Sequence, residues 1–447
     1  MNDVTTPTAA SPAPEDSRLP LGKTFAYGLQ HILTMYGGII APPLIIGSAA
    51  GLGAAQIGML ITAALFVSGL ATLLQTLGVP GFGARLPLVQ GVSFAGVATM
   101  VTLVTGGGGL PEVFGAVMVS SLIGLLIAPY FAQIIRFFPP VVTGTVVTVI
   151  GLSLMPVAVR WAMGGNAHAQ DWGSTGNIGL AAFTLAIILL LNRFGNKAIG
   201  RISVLLAMVL ATVAAIFLGK THFSTLGHGP MLAIPSPFAF GLPTFNLAAI
   251  LSMLLIVLVL LTETTAGLMA IGEIVGSPVD SKRIAKGLRA DMLSSALSPV
   301  FNSFPQSSFA QNIGLVALTG VKSRFVVAAG GVILVALGLL PGLGTIVASI
   351  PAPVLGGAGV VLFGSVAASG IRTLSKVDYK DNMNLVVVAT SIAFGMIPIV
   401  MPSFYDQFPG WVQTLLHSGI SAACLAALTL NALFNPLRNA DALTAHS

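Results

Sequence analysis

The feature that most constrains this chain is the near absence of charge along runs of about twenty residues. Charged residues make up 7% of its 447 positions, against about 25% in an ordinary soluble domain. That is too few to cover a surface facing water. Apolar residues make up 55%, and the mean hydropathy is +0.96. A soluble enzyme, a disordered chain, a disulfide scaffold and a nucleic-acid binder are excluded on this ground. Glycine, at 52 residues, is abundant in the way expected where membrane helices pack closely. The single cysteine, Cys424, has no intrachain partner for a disulfide.

A helix crossing a bilayer needs about 20 mostly apolar residues. That criterion predicts an all-α polytopic membrane protein with spans at about 24–46, 55–78, 88–106, 112–135, 141–159, 178–193, 201–219, 247–271, 283–299, 304–320, 325–345, 352–372, 384–402 and 411–433, about fourteen in all. The basic residues test this count independently. With the N-terminus inside, all 19 Lys and Arg except Arg160 and Lys220 fall on the inner face, Arg85, Arg136, Arg283, Arg324 and Arg438 among them. This is the positive-inside asymmetry. The net charge of +6 thus reports orientation rather than nucleic-acid binding. Both termini are expected in the cytoplasm, and the membrane is expected to be a bacterial inner membrane.

Residues 1–20, rich in Pro, Ser and Thr, read as a disordered tail without the apolar core of a signal peptide. Residues 220–246 form the longest connection and divide 21–219 from 247–433, seven spans from seven, before a second tail at 434–447. An odd number of spans per half makes the second half enter the membrane in the opposite sense. That is the arithmetic of an inverted repeat.

The third span of each half is interrupted. Span 3 begins Pro87-Leu88-Val89-Gln90-Gly91-Val92-Ser93-Phe94-Ala95, and span 10 begins Pro305-Gln306-Ser307-Ser308-Phe309-Ala310. Serine, glycine and β-branched residues after proline favour extended backbone. Each segment is therefore predicted to run extended at membrane depth and then start a half-helix. Such backbone is tolerated only when buried in protein or lining a wet cavity. Two breaks at matching places point to a substrate site, where half-helix N-termini present free N–H groups to a polar or anionic ligand.

Few ionisable residues lie at membrane depth, where they are costly and functional by default. Glu263, in Leu261-Thr262-Glu263-Thr264-Thr265, has no basic neighbour in sequence and suits proton exchange during a transport cycle. Asp291 follows Arg289 by two positions, which do not face each other on a helix. It serves a structural hydrogen bond or a proton-linked role. His31, after Gln30, is a proton carrier or a neutral interhelical donor. Gln311 and Asn312 open the second half-helix. A carboxamide sets a donor beside an acceptor and matches the lactam edge of an oxopurine or oxopyrimidine, although Asn also caps helices well. Phe94 is placed to stack on such a ring. No metal-ligand cluster, Walker loop or nucleophile elbow appears.

Residues Gln311-Asn312-Ile313-Gly314 through Thr319-Gly320 resemble the signature of the nucleobase–ascorbate transporters (nucleobase:cation symporter-2), written Q/E/P-N-x-G-x-x-x-x-T-R/K/G. Gln30-His31, the stretch Gln90 to Phe94, Glu263-Thr264-Thr265 and Pro353 are also similar to family features, and the resemblance runs from about 20 to 435. It implies fourteen spans in two inverted seven-span repeats. Spans 1–4 and 8–11 would form a core that moves like an elevator against a gate of spans 5–7 and 12–14, in a homodimer. It implies that Gln311 and Glu263 bind the base, that Glu263 couples transport to protons, and that Phe94 stacks. Ser93, Phe309 and Ala310 would frame the pocket, with Asn312, Asp291 and His31 in support.

Gln at the first signature position resembles the purine branch, for urate or xanthine, and Ser93 leaves room for urate. Gly267 departs from the His of some uracil carriers. The expected activity is proton-coupled uptake of an oxidised purine, with Na⁺ left open as coupling ion and no organic cofactor. A uracil-type pyrimidine symporter and an anion transporter of the same fold remain alternatives.

Overall fold

A computed structural model of the chain describes residues 13–131, 138–220, 231–380 and 383–435. It is mostly helical. Eight of the described helices are long and apolar enough to cross a membrane, or ten with two sharply bent pairs counted as one span each. The first half contains α1 (Leu21–Ala49), α2 (Ala54–Leu77), strand β1 (Gln90–Val92), α3 (Val97–Leu103), α4 (Gly109–Ile127), α5 (Pro140–Ala162), α6 (Thr175–Phe194), the short α7 (Lys197–Arg201) and α8 (Ser203–Phe217). The second contains α9 (Leu247–Val275), α10 (Ser281–Leu297), strand β2 (Gln306–Ser308), α11 (Ala310–Thr319), α12 (Arg324–Gly338), α13 (Pro341–Ala348), α14 (Ala352–Leu374), α15 (Met383–Val400), α16 (Gly410–Leu416) and α17 (Gly419–Phe434).

The ends of the long helices follow local chemistry. The Asn246 side chain accepts from the backbone N–H groups of Ala248 and Ala249 and starts α9. Gly276, in the left-handed region at φ 79°, stops it. Asp280 caps α10 by accepting from Arg283 N at 2.8 Å.

Two packed groups emerge from the helix contacts. α1, α2, α12 and α13 lie together, with α4 against α9 and α10; α5, α6, α14, α15 and α17 pack on one another. The α5–α14 contact is made at backbone distance. A methyl group at Gly151 of α5 would run into the backbone of Ala367, and one at Gly370 of α14 into that of Thr148. Small residues permit this approach where no hydrophobic force separates helix from lipid.

Four expectations are refined. The span at 325–345 is two helices, α12 and α13, bent by 82°, because Pro341 sits in the first turn of a new helix. The span at 411–433 is α16 and α17, bent by 87°, with Ser418 capping α17 by accepting from Ser421 N at 3.3 Å. The span at 88–106 is helical only from Val97, and Gly107 then breaks it with φ 97°.

The fourth correction concerns the tail at 1–20. Residues 13–20 are ordered, with a 3-10 turn at Pro14–Asp16 and Glu15 only 4% exposed. Glu15 meets Arg283 at 2.8 Å and accepts from Ser277 Oγ at 2.6 Å; Asp16 meets Arg324 at 2.6 Å. Burial works against ionisation of Glu15, but the hydrogen bonds from Ser277 and Arg283 outweigh it and hold the carboxyl below the usual glutamate value. The same two arginines donate to carbonyls at the end of α2 and just beyond it, Arg324 to Thr76 and Leu77, Arg283 to Ala84 and Arg85. Composition describes this segment as a polar tail because its partners lie hundreds of positions away. Residues 1–12, 132–137 (with Arg136), 221–230, 381–382 and 436–447 (with Arg438) lie outside the described residues.

Candidate functional site

The site is built on the two interrupted segments. β1 and β2 pair antiparallel, Gln90 opposite Ser308, Gly91 opposite Ser307 and Val92 opposite Gln306. The ladder continues at both ends, Ser93 N donating to Pro305 O at 2.9 Å and Phe309 N to Val89 O at 3.1 Å. Neither three-residue segment satisfies its own backbone, so each completes the other in the interior. Side chains from around the ladder finish the pairing. Thr72 Oγ1 accepts from Gln90 N at 2.9 Å, Ser295 Oγ accepts from Gln306 N at 2.8 Å, and Ser68 donates to Gln306 Oε1 at 2.9 Å.

The amide pair at the start of α11 divides its work. Asn312 is buried; its Oδ1 accepts from Val89 N at 2.9 Å and its Nδ2 lies 3.0 Å from His31 Nδ1. It caps the ladder rather than its own helix. His31, itself buried in α1, accepts from Asn312 through Nδ1, which leaves its remaining proton on Nε2. Gln311, the neighbour, is exposed, and its side chain makes no hydrogen bond among the described residues. Ala310 is exposed beside it.

The two membrane carboxyls differ in the same way. Asp291 of α10 is buried and fully engaged: Gln75 Nε2 donates to Oδ1 at 3.0 Å and Thr264 Oγ1 to Oδ2 at 2.5 Å. Gln75 also accepts from Ala84 N at 3.0 Å, so Asp291 anchors the turn that leads into β1. Glu263 is half-buried, and its side chain has no hydrogen bond or ion pair among the described residues. One helical turn further along α9, Gly267 lies against Ser308 and Ile313, where a Cβ would come 2.8 Å from Ser308 Oγ. Residues four apart share a helix face, so Glu263 stands on the face turned towards the junction of β2 and α11.

The aromatic residues divide as well. Phe309 is buried with its ring over Gly91 of β1 and Gly38 of α1, where a Cβ would collide with it. Phe94, which follows Ser93 at the end of the ladder, is half-buried. Its ring meets Phe363 of α14 edge-to-face, centroids 6.0 Å apart at 72°. Ser93 is buried, and its Oγ accepts from Ala95 N at 3.1 Å, shaping the turn into α3.

Sequence reading thus placed Gln306 in an extended break without giving its side chain a role, and it missed Gln75 and Phe363. Gln75 carried a usable signal, an amide inside the apolar run Leu73-Leu74-Gln75-Thr76-Leu77. Phe363 carried none, because a phenylalanine in an apolar helix is indistinguishable from packing.

Chemically, the arrangement offers an exposed carboxamide, an unpaired carboxyl and a half-exposed ring around a rigid ladder. This suits a flat heterocycle with edge donors and acceptors. Comparison with known proteins agrees with a transport assembly. A family model described as a permease family matches residues 22–404. The chain is 41% identical over 423 residues to the uric acid transporter UacT of Escherichia coli, covering 94% of this chain and 88% of that one. It is 40% identical to a xanthine permease of Bacillus subtilis (93% and 94% covered) and 42% identical to the uric acid permease PucK of the same organism (91% and 94% covered).

Among solved structures, the transmembrane domain of the cyanobacterial bicarbonate transporter BicA aligns at TM-score 0.59 and 16% identity, over 92% of this chain and 96% of that one. The murine Solute Carrier 26 family member A9 anion transporter, in its inward-facing state, aligns at 0.63 and 13%, over 93% and 69%. At such identity the likeness is one of fold. By the family match and the relatives near 40%, this chain is a multi-pass membrane permease and belongs to the nucleobase:cation symporter-2 family.

Proposed function

We propose that the protein takes up an oxidised purine, urate or xanthine, together with protons, through a bacterial inner membrane with both termini in the cytoplasm. The observation that carries this reading is the contrast around the ladder. Glu263 and Gln311 are free to meet a ligand, whereas Asp291 and Asn312 are consumed by the scaffold. In the loaded state Gln311 pairs with the lactam edge of the base, Glu263 accepts from a ring N–H or holds the coupling proton, and Phe94 stacks on the ring. Ser93, Phe309 and Ala310 frame the pocket through their backbone, and His31 and Asp291 hold it in shape. The names of the relatives near 40% identity support the purine class.

The same reading includes fourteen spans in two inverted repeats and an elevator movement of the ladder-bearing core against the gate, in a homodimer. The antiparallel ladder, made by the third span of each half, supports the repeat. The two packed groups of helices support the division into core and gate.

Uptake of radiolabelled urate and xanthine, with and without a protonophore, tests the proposal. Saturable uptake of either purine that collapses with the protonophore is the expected result, with sodium replacement leaving it unchanged. Uracil outcompeting both purines would assign the pyrimidine class instead. Flux indifferent to the protonophore would assign facilitated anion transport.

A further inference from the structure

We propose that Phe363 of α14 is a specificity-determining residue, the wall that limits which ring substituents a ligand on Phe94 can carry. This inference rests on the purine reading above and adds a residue that no part of the ladder contains. Phe94 belongs to the ladder-bearing group of helices, and Phe363 to the group formed by α5, α6, α14, α15 and α17. Their rings meet edge-to-face across the divide, 6.0 Å between centroids. In the proposed arrangement a flat ligand lies on Phe94 with its polar edge towards Gln311 and Glu263, and the ring beside Phe94, that of Phe363, bounds another of its edges.

Phe363 is fitted for such a role because it cannot yield. It is fully buried, and Trp161 of α5 stands behind it with ring centroids 6.5 Å apart at 40°. Gly359, one turn before it on α14, leaves no slack: a Cβ there would lie 3.2 Å from Phe363 Cε2 and 3.2 Å from Ala158 Cβ. The ring is thus held on one side by α5 and at its own helix by Gly359, while its contact with Phe94 joins it to the end of the ladder. An edge-to-face contact of this geometry favours one mutual orientation of the two rings. A wall of this kind discriminates by excluded volume, and one methyl group against a packed wall changes selectivity roughly 10-fold or more.

The test is competition of labelled xanthine uptake by a series of methylxanthines, each carrying its methyl on a different ring nitrogen. In Phe363→Ala and Phe363→Leu, at least one methylxanthine should gain about tenfold in inhibition relative to unlabelled xanthine, while analogues methylated on the edge facing Gln311 stay excluded. Unchanged ratios for the whole series, with uptake intact, would overturn the proposal. If either variant loses uptake, binding is read instead by Trp161 fluorescence in a Trp172→Phe, Trp411→Phe background, which leaves one of the chain's three tryptophans. Xanthine should change that emission in the parent, and the methylxanthine series should shift in the Phe363 variants. A parent emission that xanthine leaves unmoved counts against the wall. A parent protein that transports no purine at all would instead defeat the functional reading and is distinguishable from both.

Discussion

Glu263 and Asp291 are two carboxyls on neighbouring helices of one membrane-embedded core, and their surroundings differ. Asp291 receives a hydrogen bond on each oxygen, from Gln75 and Thr264, and through Gln75 fixes the loop that leads into β1. Glu263 precedes Thr264 by one position, yet it receives no hydrogen bond within the described chain and faces the other strand's junction with α11. The pair teaches that depth in the membrane does not assign a role to an acid. A buried polar group with all its partners is scaffold; one without them is available to a proton or a ligand, and the cost of leaving it charged and alone drives that exchange.

The largest effect is expected at Glu263. Glu263→Gln keeps shape and polarity but removes the ionisable proton, so the protein should still reach the membrane and bind purine. Concentrative uptake should fall roughly 100-fold, the scale on which a positioned proton-transfer group contributes. Wild-type accumulation ratios in this variant would remove Glu263 from coupling and erase the contrast with Asp291.

Asp291→Ala should act by a different route. It strands the Thr264 hydroxyl in the interior, a loss of about 1–3 kcal/mol, and leaves Gln75 Nε2 only the longer bond to Gly287 O at 3.3 Å. The detergent-solubilised protein should melt earlier, and uptake should fall with the amount of folded protein, while the apparent affinity of the remainder changes little. Asp291→Asn, which retains an acceptor, should recover most of the stability. A variant of normal stability with collapsed uptake would move Asp291 from scaffold to coupling.

The amide pair repeats the comparison on a smaller scale. Gln311→Glu replaces a donor by charge where the base docks and should weaken purine uptake about 10-fold, the worth of one good hydrogen bond at about 1.4 kcal/mol, with thermal stability unchanged. Asn312→Ala should do the opposite, lowering stability first, because Val89 N and His31 lose their buried partner. Urate uptake kinetics and melting curves on both variants decide the assignment; equal behaviour would show that the pair works as a unit.

How far these roles were legible in the sequence follows from the range of the forces involved. Apolar runs are a local signal and located most of the membrane helices, and proline followed by serine, glycine and β-branched residues located the breaks at Pro87 and Pro305. The signature at Gln311 to Gly320 marked the half-helix that follows the second break. What single positions did not reveal was which polar group is satisfied: Asn312 is paid off by Val89 and His31, and Asp291 by Gln75, each more than 200 positions away. The bend before Pro341 was readable in principle, since proline favours the first turn of a helix. The contact of Phe94 with Phe363 was not, because apolar contacts across a helix interface leave no pattern in one sequence.

The smallest effect belongs to the segment that composition described as a tail. Glu15 and Asp16 pair with arginines at the start of α10 and of α12, and those arginines reach the carbonyls at the end of α2 and just beyond it. Glu15→Gln should lower the melting temperature modestly at neutral pH, since it weakens one partly buried ion pair but keeps the Ser277 and Arg283 donors within reach of an acceptor. The pH dependence has a definite sign. The native carboxyl titrates below its ordinary value of 4.5, so its contribution to stability is complete above that value and is lost as pH falls through the native one. Melting curves of the parent and of Glu15→Gln should therefore differ at pH 7 and converge towards pH ~3, below the ordinary glutamate range. A difference that persists unchanged in acid would mean that Glu15 acts through packing and not through its charge. The ladder would then depend on the segment's shape alone, and Glu15, like Asp291, would count as scaffold.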